Sequence, residues 1–380
     1  MSGHAPYFAA LEQALKNAGV AQPTMVVDLR RLDANIDAAG QTLAPMGLGL
    51  RAVSKSLQAP ALLGRVMERA ATDKVMVFNT TMLDDILAWR SEADVLLGRP
   101  QPAAAAAGFM RHHAGDAAVA ARPVWLVDSL RRLSQYAEIA RASGLSLRIC
   151  LEVDVGLHRG GFDEGPLAEA IGAARAEPLI EIAGLMGYDA HAAAAPDPAA
   201  EVARALARLA RAKAVLAEAL GGDPARLVID TAGSLTFALH ADDAVATELA
   251  LGSALVKPAN YDATATQVFE PACFIAEPVL KIVDPALAPG AERPQAAPAR
   301  GIFMFGGWGD ARLVSPLGLS FHPAWGRSML QAGPEVALAE DDFVFLRPRE
   351  SEGTLLQFGD LAVFDGRAIV DRWPTFRAAA

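Results

Sequence analysis

The sequence contains little cysteine and no apolar run long enough to cross a membrane. Its two cysteines, Cys150 and Cys273, are too few for a disulfide framework or for zinc sites built from cysteine pairs. No basic segment followed by an apolar stretch opens the chain. We therefore expect no membrane partner and, without a recognisable targeting segment, a cytoplasmic location.

Positive charge is also scarce. Lysine and arginine number 34 against 44 aspartates and glutamates, which gives a formal net charge of -10. This balance opposes nonspecific binding to nucleic acid or anionic lipid, and it favours a protein whose small-molecule site is locally basic. With 380 residues, 52% of them hydrophobic, the chain is long enough for two globular domains.

Strand-like runs alternate with alanine- and leucine-rich segments of helical period over the first two thirds of the chain. The eight runs lie near residues 49–54, 74–78, 94–97, 123–127, 146–153, 181–187, 226–230 and 247–251. The alternation predicts a parallel sheet, and eight units in this length predict closure into a (β/α)8 TIM barrel.

The pattern changes after Gly252, where proline becomes frequent and helical periodicity fades. A second, mostly β domain is predicted by strand-like runs near 273–275, 279–283, 302–305, 343–346 and 361–364. We place the barrel domain at residues 23–254 and the β-rich domain at 255–380. Residues 1–22 precede the barrel and are expected to pack on the second domain.

Residues at the predicted strand ends are candidates for a functional site, because the active sites of such barrels lie at the carboxyl ends of the strands. The first strand ends in Lys55, and alternation turns Arg51, Val53 and Lys55 to one side. A lysine there can form a Schiff base with a carbonyl cofactor such as pyridoxal phosphate. Most lysines at strand ends are solvated surface groups, so this position alone does not decide the matter.

Further strand ends supply a cation, an aromatic ring and two small turns. Arg159, in a Gly-x-x-Arg-Gly-Gly turn, can hold a phenolate or carboxylate or remain a surface arginine. Tyr188 can lie against a planar ring or pack within the barrel. The last two ends are turns whose N–H groups can cradle a phosphate or simply reverse the chain. They contain Thr231, Gly233, Ser234, Gly252 and Ser253.

Taken in order, these stretches resemble a known family. Residues 154–161 resemble the Asp-x-Gly-x-x-Arg-x-Gly signature of fold-type III pyridoxal phosphate enzymes, the alanine racemase group. Within that group, residues 51–55 resemble the Arg-Pro-His-x-Lys box of the D-threonine aldolase and D-serine dehydratase family. Further matches to that family are Gly-Tyr-x-Gly-His at 187–191, Thr-Glu-Leu-x-x-Gly-Ser at 247–253 and the C-terminal ending at 371–374. The resemblance spans about residues 23 to 376.

The resemblance implies a pyridoxal 5'-phosphate site. Lys55 would form the Schiff base with the cofactor, Arg159 would contact its phenolic oxygen and Tyr188 would lie near its ring. The phosphate would be held by the two turns, with Gly233, Ser234, Gly252 and Ser253, and Thr231 belongs to the implied cofactor-binding set. The implied fold is an alanine-racemase-type barrel with a C-terminal β domain, usually a homodimer that shares its active sites.

One departure from the family concerns a metal. Metal-dependent members carry Pro-x-His-x-Cys or Pro-x-His-x-Asp near the C-terminus, and this chain has Pro-Arg-Glu-Ser-Glu at 348–352. Glu350 and Glu352 offer carboxylates in place of imidazole and thiolate. Such a pair suits a hard cation such as magnesium better than a transition metal, and our expectation is that no metal binds.

The resemblance implies a reaction on a small D-amino acid. The leading hypothesis is a lyase of the D-threonine aldolase type, in which Glu350, Glu352 or His191 takes the proton of a β-hydroxyl group. A second hypothesis is an amino-acid racemase, with Tyr261 as the second acid or base, contributed across a dimer. An ammonia lyase of the D-serine dehydratase type, or a protein that binds pyridoxal phosphate without turnover, would carry the same cofactor residues.

Overall fold

Helix α1 (Pro6–Asn17), strand β1 (Thr24–Asp28) and helix α2 (Leu29–Leu43) come first in the chain. The computed structural model describes residues 4–221, 226–240, 245–284, 287, 290, 300–308, 310–333 and 335–377. Asp28 marks the change from strand to helix, because its carboxylate accepts a hydrogen bond from the N–H of Arg31 at 3.0 Å. Such a bond caps the first turn of a helix.

Eight parallel strands then close into a barrel, which confirms the predicted fold class. They are β2 (Gly49–Val53), β3 (Lys74–Val77), β4 (Asp94–Leu97), β5 (Val124–Val127), β6 (Leu147–Glu152), β7 (Ile180–Gly187), β8 (Val228–Thr231) and β9 (Glu248–Leu251). The intervening helices are α3 (Pro60–Arg69), α4 (Thr80–Trp89), α5 (Ala103–His112), α6 (Ala117–Ala120), α7 (Leu130–Ser143), α8 (Glu164–Arg175) and α9 (Pro198–Leu220). Helices cover the outside and side chains fill the inside, so these strands read as continuous apolar runs.

The side chains of β2 lie at successive levels inside the barrel. Arg51 is fully buried, forms an ion pair with Glu248 and donates a hydrogen bond to the carbonyl oxygen of Asp94 at 2.8 Å. Val53 packs in the apolar cluster of the next level. Lys55 follows at the carboxyl end and lines a cavity. The expected alternation therefore carries a lysine to the open end of the barrel.

The rest of the chain forms a mostly antiparallel second domain, also as predicted. One of its sheets has six strands in the order β13-β16-β10-β1-β17-β18, and a four-stranded sheet has the order β11-β12-β15-β14. The strands are β10 (Cys273–Pro278), β11 (Lys281–Val283), β12 (Arg300–Phe303), β13 (Arg312–Ser315), β14 (Leu319–Phe321), β15 (Met329–Ala332), β16 (Phe343–Arg347), β17 (Asp360–Phe364) and β18 (Ile369–Pro374). Two short helices, α10 (Ser253–Val256) and α11 (Glu352–Leu356), precede β10 and β17 in the chain. The sequence patterns did not reveal β13, β14, β15 and β18, which are short or largely exposed.

Strand β1 belongs to the second domain in space, although the predicted boundary at residue 23 grouped it with the barrel. It pairs antiparallel with β10 and parallel with β17, and all five of its residues are buried. Helix α1 packs on the same sheet through Leu11 and Leu15, which share an apolar cluster with Val26 and Phe345. Among the described residues, no helix is both long and apolar enough to span a membrane.

Candidate active site

A cavity opens at the carboxyl ends of the barrel strands. It encloses about 750 Å³ of empty space, including the part that is open to solvent. The barrel contributes residues that follow several of its strands, and the second domain contributes Tyr261 and Glu352. The residues from the strand ends that line the cavity are Lys55, Phe78, Arg99, Arg159, Tyr188, Gly233, Ser234, Gly252 and Ser253.

Lys55 lies in a short turn directly after β2, and its amine is inside the cavity. Its Nζ atom is 2.6 Å from Oε1 of Glu352 and 4.7 Å from the centre of the Phe78 ring. Glu352 begins α11, so the second domain supplies the counter-ion of a barrel lysine. The amine must lose a proton before it can attack a carbonyl group, and the Glu352 carboxylate is in hydrogen-bonding distance to take that proton.

Arg159 is held in place by the turn that follows β6. Oδ1 of Asp154 accepts hydrogen bonds from the N–H groups of Gly156 at 2.9 Å and His158 at 3.0 Å, and Oδ2 lies 2.8 Å from Nδ1 of His158. Burial would raise the pKa of Asp154, but these hydrogen bonds hold it below its ordinary value. The Arg159 guanidinium consequently lies over Tyr188, with its Cζ atom 5.1 Å from the ring centre.

Tyr188 and the turn after β8 are fitted closely together. A Cβ atom on Gly233 would lie 2.8 Å from Cε2 of the Tyr188 ring, so only glycine leaves this ring where it is. Burial raises the pKa of Tyr188 above its ordinary value, which keeps the phenol protonated at neutral pH. The ring therefore provides a neutral, partly buried flat surface beside Arg159.

A buried network supports the turn that contains Gly233 and Ser234. The Gly233 N–H donates to Oγ1 of Thr236 at 3.1 Å, and the Thr236 hydroxyl donates to Oδ1 of Asp189 at 2.7 Å. Oδ2 of Asp189 is 2.8 Å from Nε2 of His240, and both side chains are fully buried. These contacts fix the backbone of the turn from beneath.

The two candidate phosphate turns are joined to each other. Oγ of Ser234 accepts a hydrogen bond from the N–H of Ala254 at 3.0 Å, which links the turn after β8 to the turn after β9. Within the described part of the chain, the backbone N–H groups of Ser234 and Leu235 have no acceptor. Free N–H groups at adjacent positions of a fixed turn are donors of the kind that bind a phosphate.

Not all predicted residues reach the cavity. Thr231 is buried in the barrel, where its hydroxyl donates to the carbonyl oxygen of Gly187 at 2.6 Å. His191 packs beside Gly156, and its Nε2 atom lies 3.3 Å from Oε1 of Glu201 on helix α9. Glu350 accepts a hydrogen bond from Asn260 at 2.7 Å. Of the three candidate bases, Glu352 alone lines the cavity.

Two further features of the site concern Tyr261 and a metal. Tyr261 lines the same cavity as Lys55 of its own chain, whereas the expectation was a contribution across a dimer, and burial raises its pKa to about 12. The described residues contain no group of three or more histidine, cysteine, aspartate or glutamate side chains placed to hold a metal ion. Among the described residues that line the cavity, the polar groups are amine, guanidinium, hydroxyl and backbone N–H groups, with Glu352 as the one carboxylate.

Sequence reasoning missed Phe78 and Arg99, which follow β3 and β4 and line the cavity. The rule that active-site residues follow barrel strands applies to these two ends as well. Arg99 was identifiable, because it stands two residues after the predicted strand 94–97.

Comparison with known proteins assigns the chain to a family. The family model for the N-terminal domain of alanine racemase matches residues 27–259, which is more than half of the chain. This chain belongs to the alanine racemase N-terminal domain family. The match includes every barrel strand and every residue predicted to bind the cofactor, and it confirms the resemblance that the motifs indicated. A search of curated proteins by sequence gives no match.

Solved structures of this fold extend the likeness over both domains. D-threonine aldolase from Filomicrobium marinum superposes with a TM-score of 0.77 at 19% identity, covering 94% of this chain and 95% of that one. D-threo-3-hydroxyaspartate dehydratase from Delftia sp. HT23 gives 0.72 at 17% identity, covering 95% and 98%. Alanine racemase from Clostridium difficile 630 gives 0.70 at 14% identity, covering 93% and 98%. At these identities the likeness concerns the fold.

Proposed function

We propose that this protein is a pyridoxal phosphate enzyme that cleaves a small D-β-hydroxy amino acid to glycine and an aldehyde. The observation that carries the proposal is the position of the Lys55 amine, which faces the Glu352 carboxylate at 2.6 Å inside the cavity. The alanine racemase family and the superposition on a D-threonine aldolase support the cofactor and the reaction class.

The side chains present fit the cofactor. Lys55 would hold its carbonyl carbon, Tyr188 would lie along its ring and Arg159 would face its phenolic oxygen. Free N–H groups of Ser234 and Leu235 would receive its phosphate. Bound pyridoxal phosphate supplies an electron-withdrawing ring, which stabilises the electron pair left at the substrate Cα when a bond there breaks.

The residues of the chain then move the protons. Glu352 takes the proton of the substrate β-hydroxyl, and the electrons of that O–H bond form the carbonyl of the aldehyde as the Cα–Cβ bond breaks. Lys55 would then protonate the electron pair at Cα and receive in return the proton that Glu352 took from the hydroxyl, so that both groups are restored when glycine is released. Glu350 and Glu352 contact different partners, and on this ground we propose a reaction that needs no divalent metal.

A racemase is the second candidate, and Tyr261 is the observation that favours it. This tyrosine lines the same cavity as Lys55, and its pKa of about 12 leaves it protonated at neutral pH. Lys55 would remove the Cα proton of the amino acid and Tyr261 would deliver another. For either reaction we expect the protein to act as a homodimer.

The test begins with the absorption spectrum of the purified protein. We expect a visible cofactor band that borohydride abolishes, with the added mass on Lys55, and loss of the adduct in Lys55→Ala. Lys281→Ala, on the surface of the second domain, is the matched control. A reducible adduct that persists in Lys55→Ala would show that another residue holds the cofactor.

Product analysis then separates the reactions. D- and L-threonine, serine and alanine are incubated with the loaded enzyme. Glycine and an aldehyde indicate the aldolase, a keto acid and ammonia indicate the dehydratase, and mixed enantiomers indicate the racemase. A protein that binds the cofactor but converts none of these substrates would contradict the proposal of an enzyme for small amino acids.

A further inference from the structure

Among the described residues that line the cavity, Arg99 is a cation with no local counter-ion. The Lys55 amine is paired with Glu352 at 2.6 Å, and Nη2 of Arg159 lies 3.8 Å from Oε1 of Glu152. In the part of the chain that the structure describes, the Arg99 guanidinium has no hydrogen bond or ion pair. Neither the proposed reaction nor the cofactor contacts described above make use of it.

The backbone brings Arg99 against the same aromatic ring as Lys55. A Cβ atom on Gly98 would lie 2.9 Å from Cε1 of Phe78 and 2.5 Å from Sδ of Met76, so a larger residue would have to displace these side chains. The Cζ atom of Arg99 is 5.9 Å from the centre of the Phe78 ring, and Nζ of Lys55 is 4.7 Å from it. Guanidinium and amine therefore both lie against the Phe78 ring.

The order of strands separates Arg99 from the turn that contains Gly233. In the closed barrel β2-β3-β4-β5-β6-β7-β8-β9, the strands β5, β6 and β7 separate β4 from β8 in one direction. In the opposite direction the separating strands are β3, β2 and β9. Arg99 follows β4 and Gly233 follows β8, so they stand on opposite sides of the barrel mouth. An anion held by Arg99 is consequently a different one from the phosphate of the cofactor.

We propose that Arg99 binds the carboxylate of the amino-acid substrate and so fixes the orientation of its amino group beside Lys55. The planar guanidinium matches a carboxylate with two parallel hydrogen bonds, and a substrate α-carboxylate would neutralise the unpaired charge. This inference rests on the proposed function and adds to it the group that recognises the substrate. It also predicts that compounds without a free carboxylate bind without help from Arg99.

The experiment compares binding of D-threonine and D-threoninamide, which differ in the charged carboxylate. Holoenzymes of the wild type, Arg99→Gln, Arg99→Lys and Arg131→Gln are titrated with each compound, and the shift of the cofactor band gives the half-saturation concentration. Arg131, an exposed arginine on helix α7 away from the cavity, is the matched control. Cofactor affinity of each apo-protein and its melting temperature are measured in parallel.

We expect Arg99→Gln to weaken D-threonine binding about 10- to 100-fold, the usual effect of losing a charge-assisted pair. Arg99→Lys should weaken D-threonine binding less, and Arg131→Gln should leave it unchanged. D-threoninamide should bind all four proteins with the same affinity. Three results for Arg99→Gln would overturn the inference about Arg99 but leave the proposed function standing. They are equally weaker binding of both compounds, weaker binding of the cofactor, and unchanged binding of D-threonine. A wild type whose cofactor band responds to no amino acid would instead overturn the proposed function, and this inference with it.

Discussion

Glu350 and Glu352 are two residues apart, yet they contact different partners. Glu352 faces Lys55 inside the cavity, whereas Glu350 is bound by Asn260 outside it. If Glu352 is the base, Glu352→Gln should lower kcat by about 10²- to 10⁴-fold, the usual contribution of a general base. Glu350→Gln changes the same charge nearby and should stay within about twofold of wild type. Steady-state kinetics with the substrate identified by product analysis measure both, and equal losses would contradict the assignment.

The separation of these two carboxylates also leads to a prediction about metals. Two glutamates hold a divalent ion firmly only when further ligands converge with them, and these side chains diverge. Activity should therefore survive dialysis against EDTA and should not rise when magnesium, manganese or zinc is added singly. Activity that disappears with EDTA and returns with one ion, and that Glu350→Gln abolishes, would show that the pair is a carboxylate variant of a metal site.

The turn after β8 owes its shape to hydrogen bonds made by the side chains of Thr236 and Asp189. Oγ1 of Thr236 accepts a hydrogen bond from the N–H of Gly233, and the same hydroxyl donates one to the buried carboxylate of Asp189. Thr236→Val has nearly the same shape but removes both bonds, and a hydrogen bond to a buried charged group is worth about 1.5 to 3 kcal/mol. We expect the affinity of the apo-protein for pyridoxal phosphate to fall at least about tenfold.

Fluorescence titration of apo-protein with the cofactor measures this effect independently of catalysis. Thr264→Val, in the second domain and outside the cavity, is the matched substitution and should leave the affinity unchanged. A Thr236→Val protein that melts at the wild-type temperature and binds the cofactor normally would show that the turn does not depend on this network.

The barrel was predictable from sequence because each strand is an apolar run bounded by a helix, and all eight observed strands overlap the predicted ones. Strand-end residues were largely predictable for the same reason, since the fold carries Lys55, Arg159, Tyr188 and the two turns to one mouth. The directions of individual side chains were harder to predict from sequence. His191 turns toward Glu201, and the Thr231 hydroxyl turns to the carbonyl oxygen of Gly187 on the neighbouring strand, because single-residue alternation and local packing decide what a strand end presents.

The second domain was harder to predict, because its strands are short and pair across long stretches of chain. Leu319–Phe321 and Ile369–Pro374 carry few buried residues, so no apolar run marks them. The contact between Glu352 and Lys55 joins residues from two domains, and motif spacing within one domain does not reveal such a contact. The resemblance identified the position of Glu352 as special, whereas the partner became clear only from the structure.

A buried carboxylate makes the stability of the whole protein depend on pH. Burial raises the pKa of Glu277 to about 7, although the N–H groups of Gly306 and Trp308 donate to it and oppose the rise. In the unfolded chain this carboxyl has its ordinary pKa near 4.5. The folded state therefore holds a proton that the unfolded state releases between about pH 4.5 and 7, and the contribution to stability falls as the pH rises through that range.

Glu277→Gln removes the ionisable group while it keeps an oxygen that can accept one of the two hydrogen bonds. The unfolding free energy of wild type should fall between about pH 5 and pH 8, in part because of Glu277. In the variant this part of the fall should be absent, so its unfolding free energy should change less over the same range. Chemical denaturation at both pH values measures the difference. Parallel curves for the two proteins would show that Glu277 titrates normally in the folded state.

Strand β1 has a consequence for how the protein is made. It stands between β10 and β17, and both follow the barrel in the chain, so β1 can pair with its neighbours only after every barrel strand has been translated. The barrel strands come from one continuous stretch and can assemble before then, because domains generally fold as they are synthesised. A nascent chain that stops early leaves the five residues of this strand without partners. Truncated products therefore expose an unpaired strand that chaperones and proteases can recognise.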